Sequence, residues 1–496
     1  MNIRPSISAK KILKIQPIRK PIKSIIRAFL VFLEKYFGSE ILLDMPEKFL
    51  NMPVNFIEII NRFSNQRSSI YVKNIRLPRF PDEPFIYQYR TKINGSFFGK
   101  GAHLFDEEKA LWKSLNESIK KYLWNSSEDF YKKSLIFSSY QKIKNEALNI
   151  HSLAGFTQEQ RNKNRELYFD DNTKFGWIKA RDILSGKNIF CPVQLLSENY
   201  HNLNVKTESA SQKLEPMLRW NEPTGLAIGK SLEEAITKGV LEIIRKDAFA
   251  ICYLNKISPP VIDFEDLASQ DADMMNILRT IRRYKLELRL TKLPTDFPAK
   301  VILAIILDNT GIGPALTVGI SAGFDIKECI LNSVSESLSA RQFARRELGS
   351  SSKDEQAADI ESLDKRSRLI FWSKIENRPQ LDFLINGETV KIDLIRDRKL
   401  FPEKTGVPLR KYYEKKLAIL KNKIKKGNFQ AIFAELTTKE IRNKGLRCVK
   451  VVIPELQPLH LIEKNPYYGG KRLKEIPSKF GYKPAEEINK VPHPFV

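Results

Sequence analysis

Glu234, Lys238, Glu242 and Arg245 fall at i, i+4, i+8 and i+11 within LEEAITKGVLEIIRKDAF, residues 232–249. On an α-helix that spacing draws them into one polar stripe, while Leu232, Ala235, Ile236, Val240, Ile243, Ile244 and Phe249 supply the apolar spacing. Two carboxylates so placed are able to hold a metal ion; Arg245 and Lys246 would oppose one. The stripe is therefore either a solvated helix face or one wall of a buried polar site.

The residues just before it are TGLAIGKS, in which Gly225, Gly229, Lys230 and Ser231 spell GxxxGKS. A phosphate loop needs GxxxxGKS, because successive backbone N–H groups must curl round the phosphates while the lysine reaches over them. One residue too few breaks that cradle, so a Walker-type site is rejected. Ser231 and Glu234 instead form an S-x-x-E capping box, which gives Glu234 a purely structural role as an alternative to ligation. Two more helical stretches carry a central glutamate beside cations. GKGAHLFDEEKALWKSLNESIKKYLW opens on a Gly-Lys-Gly turn around Lys100 and places Glu117 on a stripe with Lys113, Lys120 and Lys121. KECILNSVSESLSARQFARRE carries Glu336, then Arg341, Arg345 and Arg346.

The elements that must position these residues are read from periodicity. Helical patterns cover 106–124, 231–252, 269–285, 326–347 and 407–426. Strand-like runs are KKSLIFSSY, NIFCPVQLL, LELRLTKL, AKVILAIILD, ALTVGISA, FQAIFAEL and LRCVKVVIPEL. Strands interleaved with helices predict a mixed α/β or α+β architecture. LPRFPDEPFIYQY is Pro-rich and extended, and marks a boundary between a basic N-terminal extension, 1–84, and the main domain, 85–496. The polar, Ser-rich run from Ser350 to Lys365 reads as a loop.

A chain of 496 residues with 42% apolar and 10% aromatic content is globular. Its 83 Lys and Arg against 58 Asp and Glu leave a net charge of +25, which fits either a generally basic surface or an acidic partner. Nucleic acid is disfavoured, since aromatics are not interleaved with the basic runs and no helix-turn-helix or zinc signature occurs. Cys191, Cys252, Cys329 and Cys448 lie far apart without a CxxC, which fits a reducing cytoplasm. The five histidines lack metal-ligand spacing, and no run approaches the ~20 apolar residues of a membrane span. SIIRAFLVFLEKYFG is interrupted by Arg27 and reads as a packing helix rather than a signal peptide.

The flanks of these helices resemble the YcaO family. WIKARDILSGKNIFCPVQL and EPTGLAIGKSLEEAITKGVLEIIRKDAFAICYLNKISPP are similar to its azoline-forming branch, the cyclodehydratases that build thiazoline and oxazoline rings in ribosomal peptides. In the C-terminal part the resemblance is carried by ELTTKEIRNKGLRCVKVVIPELQPLH, YYGGKRLKEIPSKFGY and the closing VPHPFV. It spans roughly residues 90 to 496.

The resemblance implies a YcaO-like fold of sheets and helices around a nucleotide site, with ATP and Mg2+ as cofactors. It implies that a Cys, Ser or Thr of a precursor peptide attacks the preceding carbonyl, whose oxygen is then phosphorylated and lost. The nucleophile belongs to the substrate, so no catalytic residue of the chain is assigned. Position by position, Glu117, Glu234, Glu242 and Glu336 match family glutamates that contact magnesium and nucleotide, with Glu117 and Glu242 as the metal ligands proper. Lys100 and Arg472 match positions that reach phosphates, or are a turn lysine and a surface arginine. The second glutamate and the arginine of each E-x-x-E-R are replaced, by Lys120-Lys121 in one helix and by Arg245-Lys246 in the other. A cation ~4 Å from magnesium would repel it by about 4 kcal/mol at an effective dielectric near 20. The chain is therefore either an enzyme whose cations contact phosphate directly, or a non-catalytic scaffold that binds peptide or a partner. A separate leader-binding protein of the ubiquitin-activating-like class and a homodimer are further expectations of the resemblance.

Overall fold

The computed structural model describes residues 72–495, apart from 127–133, 198–199, 201–214, 221, 350–364, 400–406, 462 and 464. The chain divides into two units, Met1–Gln66 and Arg67–Val496, and the description concerns the second. The expected loop over Ser350–Lys365 and the expected packing helix near the N-terminus fall outside the described residues, Lys365 itself excepted.

Three sheets carry the unit. The first is an antiparallel meander of β1 (Val72–Arg76), β2 (Tyr87–Ile93) and β3 (Phe97–His103). The second has the order β11 (Leu316–Gly323), β10 (Lys300–Asp308), β9 (Leu286–Leu293), β8 (Val261–Ile262), β12 (Thr389–Val390), antiparallel except for the last pair. The third runs β4 (Ile136–Ser139), β5 (Lys174–Asp182), β13 (Ile432–Glu435), β14 (Arg447–Val452), β7 (Leu226–Gly229), with β6 (Asn188–Pro192) also paired to β5. Six helices matter for the site: α1 (Glu107–Asn125), α2 (Leu232–Leu254), α3 (Ala272–Arg283), α4 (Ile326–Gly349), α5 (Leu409–Lys426) and α6 (Arg472–Lys479). The architecture is mixed α+β, as expected, and the long periodic helices lie within a few residues of their expected bounds.

β10 shows why VILAIIL is apolar without alternation. Val301, Leu303, Ile305 and Leu307 join the core around α2, whereas Ile302, Ala304 and Ile306 join the core under α3 and α4. A strand covered on both faces has no solvated side to mark with polar residues. α2 sits between two sheets, against β7 and β14 on one side and β11 on the other. All four cysteines are buried free thiols, Cys252 in the first of these cores and Cys329 in the second. Burial alone lifts the Cys252 thiol well above its ordinary range, and burial chiefly pushes Cys448 up to about 12.

Two expectations are corrected. The Gly-Lys-Gly stretch is not a turn but the middle of β3, and its glycines serve helix packing. A Cβ at Gly99 would stand 2.2 Å from the Ser114 carbonyl oxygen, and one at Gly101 2.1 Å from that of Ala110, so α1 lies directly on the strand. The Pro-rich stretch is not extended throughout, since it turns at 81–83 with Glu83 N donating to the Phe80 carbonyl, and it is bound to the domain. Glu83 is buried and accepts a 2.7 Å hydrogen bond from Arg341 Nε of α4, and Arg345 reaches both Asp82 and Glu83 at 2.9 Å. β1, inside the 1–84 that composition assigns to an extension, pairs with β2 throughout its length.

Candidate functional site

Three helices bring their polar faces together. On α1 the face is Lys113, Glu117 and Lys120; on α2 it is Glu242, Arg245 and Lys246; on α4 it is Asn332 and Glu336. Each helix is locally specified. Asp106 caps α1 by accepting from Lys109 N at 2.8 Å, with Glu107 and Glu108 in the first turn complementing the helix dipole. Ser231 caps α2 by accepting from Glu234 N at 3.2 Å. α4 is laid on β11 as α1 is on β3, because a Cβ at Gly319 would stand 2.1 Å from the Ser333 carbonyl oxygen.

The faces are joined by charge. Lys113 Nζ donates to Asn332 Oδ1 across to α4 at 2.8 Å and to the Ala102 carbonyl at 3.1 Å. Lys120 pairs with Glu117 at 2.5 Å. Burial works against its charge, but Glu117 and then Glu242 outweigh it and hold the ammonium above its usual range. Arg245 stands between helices: Nη2 lies 3.8 Å from Glu242, and Nη1 lies 3.7 Å from Glu336 and donates to the Ile320 carbonyl of β11 at 3.0 Å. Glu336 in turn accepts from Ile320 N at 3.0 Å. Burial, followed by the neighbouring Arg245, brings Lys246 down to about 8. The opening stripe is thus a wall between helices at Glu242 and Arg245.

Its N-terminal end is not. Glu234 is buried, receives the Lys230 N–H at 2.8 Å and pairs with Lys238 at 2.7 Å, so it closes the helix start as the S-x-x-E reading allowed. The carboxylate reaches one residue past the cap, to Lys230 instead of Ser231. Lys100 and Arg472 are not brought to the cluster. Strand alternation turns Lys100 to the face of β3 away from Gly99, Gly101 and α1; its ammonium lies 3.6 Å from the Phe343 ring centroid. Arg472 is no surface residue: buried, it grips Asp247 with Nε and Nη2 at 2.8 and 2.7 Å and reaches Asp296 at 2.8 Å. Nε and Nη2 of this guanidinium are thus both taken up by buried carboxylates. Lys121 is exposed.

The donor set fits a polyphosphate. Cationic groups Lys113, Lys120, Arg245 and Lys246 outnumber the carboxylates Glu117, Glu242 and Glu336, and Arg245 Nε is buried without a hydrogen-bond partner. Among the described residues no group of three or more His, Cys, Asp or Glu could hold a metal ion by itself. Magnesium that arrives on a nucleotide needs only one or two protein carboxylates, since phosphates and waters complete its shell; Glu117 and Glu242 supply that number.

Neither Glu222 nor Lys450, which border this cluster, was singled out by sequence. Lys450 carried a signal, a lysine within the apolar run CVKVV of β14; Glu222, in an EPTG turn, carried none.

The sequence model of the YcaO family, described as a cyclodehydratase binding ATP and Mg2+, matches residues 98–457. No curated protein matches the chain significantly. Among solved structures, a heterocyclase in complex with substrate and cofactor is 18% identical with a TM-score of 0.62, covering 88% of this chain and 57% of its own. The heterocyclase TruD is 18% identical with a TM-score of 0.52, over 77% of this chain and 50% of its own. The YcaO protein of Methanopyrus kandleri bound with AMPPCP and Mg2+ is 15% identical with a TM-score of 0.52, over 80% and 89%. At these identities the likeness is one of fold, and this chain spans little more than half the length of the first heterocyclase and half that of the second. With the family model matched across most of its described length, the chain belongs to the YcaO family.

Proposed function

We propose that the chain is the ATP-dependent cyclodehydratase component that converts Cys, Ser or Thr of a ribosomally made precursor peptide into azolines. One observation carries this reading: the convergence of α1, α2 and α4 on a cation-rich cluster that keeps Glu117, Glu242 and Glu336 and leaves the buried Arg245 Nε without a partner. ATP would supply the phosphoryl group that turns the amide oxygen into a leaving group, with Mg2+ shielding its charge. Glu117 and Glu242 are the carboxylates offered to that metal, and Glu336 sets the guanidinium of Arg245. Lys120 and Arg245 replace acidic residues of the family pattern, and here they take over part of the charge neutralisation. Fixed cations in a partly buried site stabilise a polyanion without reorganising. Glu234 acts as a cap, and Lys100 and Arg472 act in packing.

The substrate peptide reaches the enzyme with a separate leader-binding protein, an expectation carried by the family resemblance, as is a homodimer. Among the described residues no helix is long and apolar enough to cross a membrane. The test is ATP turnover with and without candidate peptide and partner, together with the peptide's mass. Peptide-dependent ADP release and loss of one water per ring are expected. Tight peptide binding with neither ADP release nor mass loss would leave the non-catalytic scaffold as the reading.

A further inference from the structure

A cleft adjoins the charged cluster, with Lys246 of α2 common to both. It holds a cavity of about 50 Å³, is partly open, and is lined among others by Trp220, Glu222, Ile243, Lys246, Lys450 and Leu456. Its polar groups are unequally satisfied. Lys450 Nζ donates to the carbonyls of Glu222 at 2.5 Å and Thr224 at 2.6 Å, and lies 4.7 Å from the Trp124 ring centroid. Glu222 is only 9% exposed, yet its Oε1 is buried with no hydrogen-bond partner, and Thr224 Oγ1 is 3.4 Å from its other oxygen. The Trp220 indole Nε1 is also buried and unpartnered. An unmet acceptor and an unmet donor in one cleft cost free energy unless a ligand completes them.

The chemistry of that ligand is constrained. Lys450 is taken up by the Glu222 and Thr224 carbonyls and Arg219 by those of Ala154 and Pro454, so these cations are not presented to a phosphate or a carboxylate, and the cleft has too few acids to hold a metal ion. Ile243 and Leu456 favour a neutral group of mixed polarity, with one N–H to give and one carbonyl to receive. A peptide amide meets that description. Lys246 faces Glu222 from α2, Lys450 from β14 and Arg219 from its own segment, and the Tyr467 hydroxyl faces it as well. Burial dominates those cations and raises the Glu222 carboxyl to about 7.

The geometry points to Glu222 as the base that removes the amide N–H proton of the residue being cyclised, with Trp220 Nε1 donating to a peptide carbonyl beside it. This rests on the cyclodehydratase reading above. Ring closure first joins the side-chain sulfur or oxygen to the carbonyl carbon: its S–H or O–H proton passes to water, the C=O π pair moves onto oxygen, and that oxygen takes the γ-phosphoryl group of ATP as ADP leaves. In the eliminating step the N–H bond breaks and its proton passes to Glu222 Oε1. The freed electron pair forms the C=N bond, while the C–O bond breaks and the phosphorylated oxygen leaves with its pair as phosphate.

Glu222→Gln keeps the shape of the side chain and removes the base. Ring formation, read by peptide mass, is expected to fall by about 10²-fold or more, while nucleotide affinity by calorimetry stays unchanged. The acid limb near pH 7 expected in the wild-type kcat/KM profile should vanish in this variant. Trp220→Phe should raise the peptide KM with little change in kcat. Rings formed by Glu222→Gln at the wild-type rate across the pH range would overturn this inference alone. A failure of the wild type to form rings from any peptide would overturn the cyclodehydratase reading along with it. Should Glu222→Gln not fold, a wild-type profile without an inflection near pH 7 is the outcome that overturns it.

Discussion

Arg245 ties Glu242, Glu336 and the open edge of β11 together, so its loss tests the cluster most directly. Arg245→Met keeps the stem and deletes the charge. Nucleotide affinity by calorimetry should drop about tenfold to a hundredfold, the worth of one charge-assisted hydrogen bond, and an unchanged affinity would remove Arg245 from the phosphate site. Arg472 gives the opposite pattern. Arg472→Met leaves Asp247 and Asp296 buried without their guanidinium and should cost about 3–5 kcal/mol in denaturant unfolding, with nucleotide affinity of the folded protein unchanged. Asp296 adds a pH dependence. Burial opposes its charge, but Arg472 and then Lys423 prevail and hold the carboxyl at about 2. A carboxyl depressed on folding stabilises fully above its unfolded value, near 3.8, and loses that contribution as pH falls towards 2. About 2 kcal/mol should thus be lost over that window, and Asp296→Asn should flatten it.

The elements hold these residues through contacts that admit no added atom. Gly319→Ala would drive a methyl group into the Ser333 carbonyl and Ser337 N–H of α4, and Gly99→Ala into Ser114 and Ser118 of α1. Each should destabilise by about 1–3 kcal/mol, seen as a lower thermal midpoint, and Gly319→Ala should also weaken nucleotide binding by moving Glu336. A midpoint equal to wild type would mean that the helices do not sit this close. The same contacts show what was legible beforehand. α1, α2 and α4 could be read because apolar periodicity is local, and the Ser231 cap because it joins neighbours in sequence. β3 was taken for a turn because its glycines make room for a helix that follows later, a need absent from the strand itself. The meeting of Lys113 with Asn332 and of Arg245 with Glu336 depends on how sheets stack, which spacing along one helix does not encode. Arg472 misled for a related reason: a Gly-Gly-Lys-Arg stretch looks solvated until α6 buries its arginine against α2.

At the scale of the whole molecule, the charge of +25 sets the field in which an anionic nucleotide approaches. Apparent ATP affinity should fall several-fold between about 50 and 500 mM salt as that field is screened; affinity independent of salt would confine recognition to buried pairs. The buried thiols carry another consequence. Cys191, Cys252, Cys329 and Cys448 are all shielded from solvent, so a thiol-reactive dye meets almost none of them while the fold is intact. A cysteine-containing peptide would be the main source of signal in such a mixture. In the proposed reaction closing a thiazoline consumes that thiol, so the chain would be a silent background against which disappearance of the peptide's thiol could be followed continuously in a cuvette.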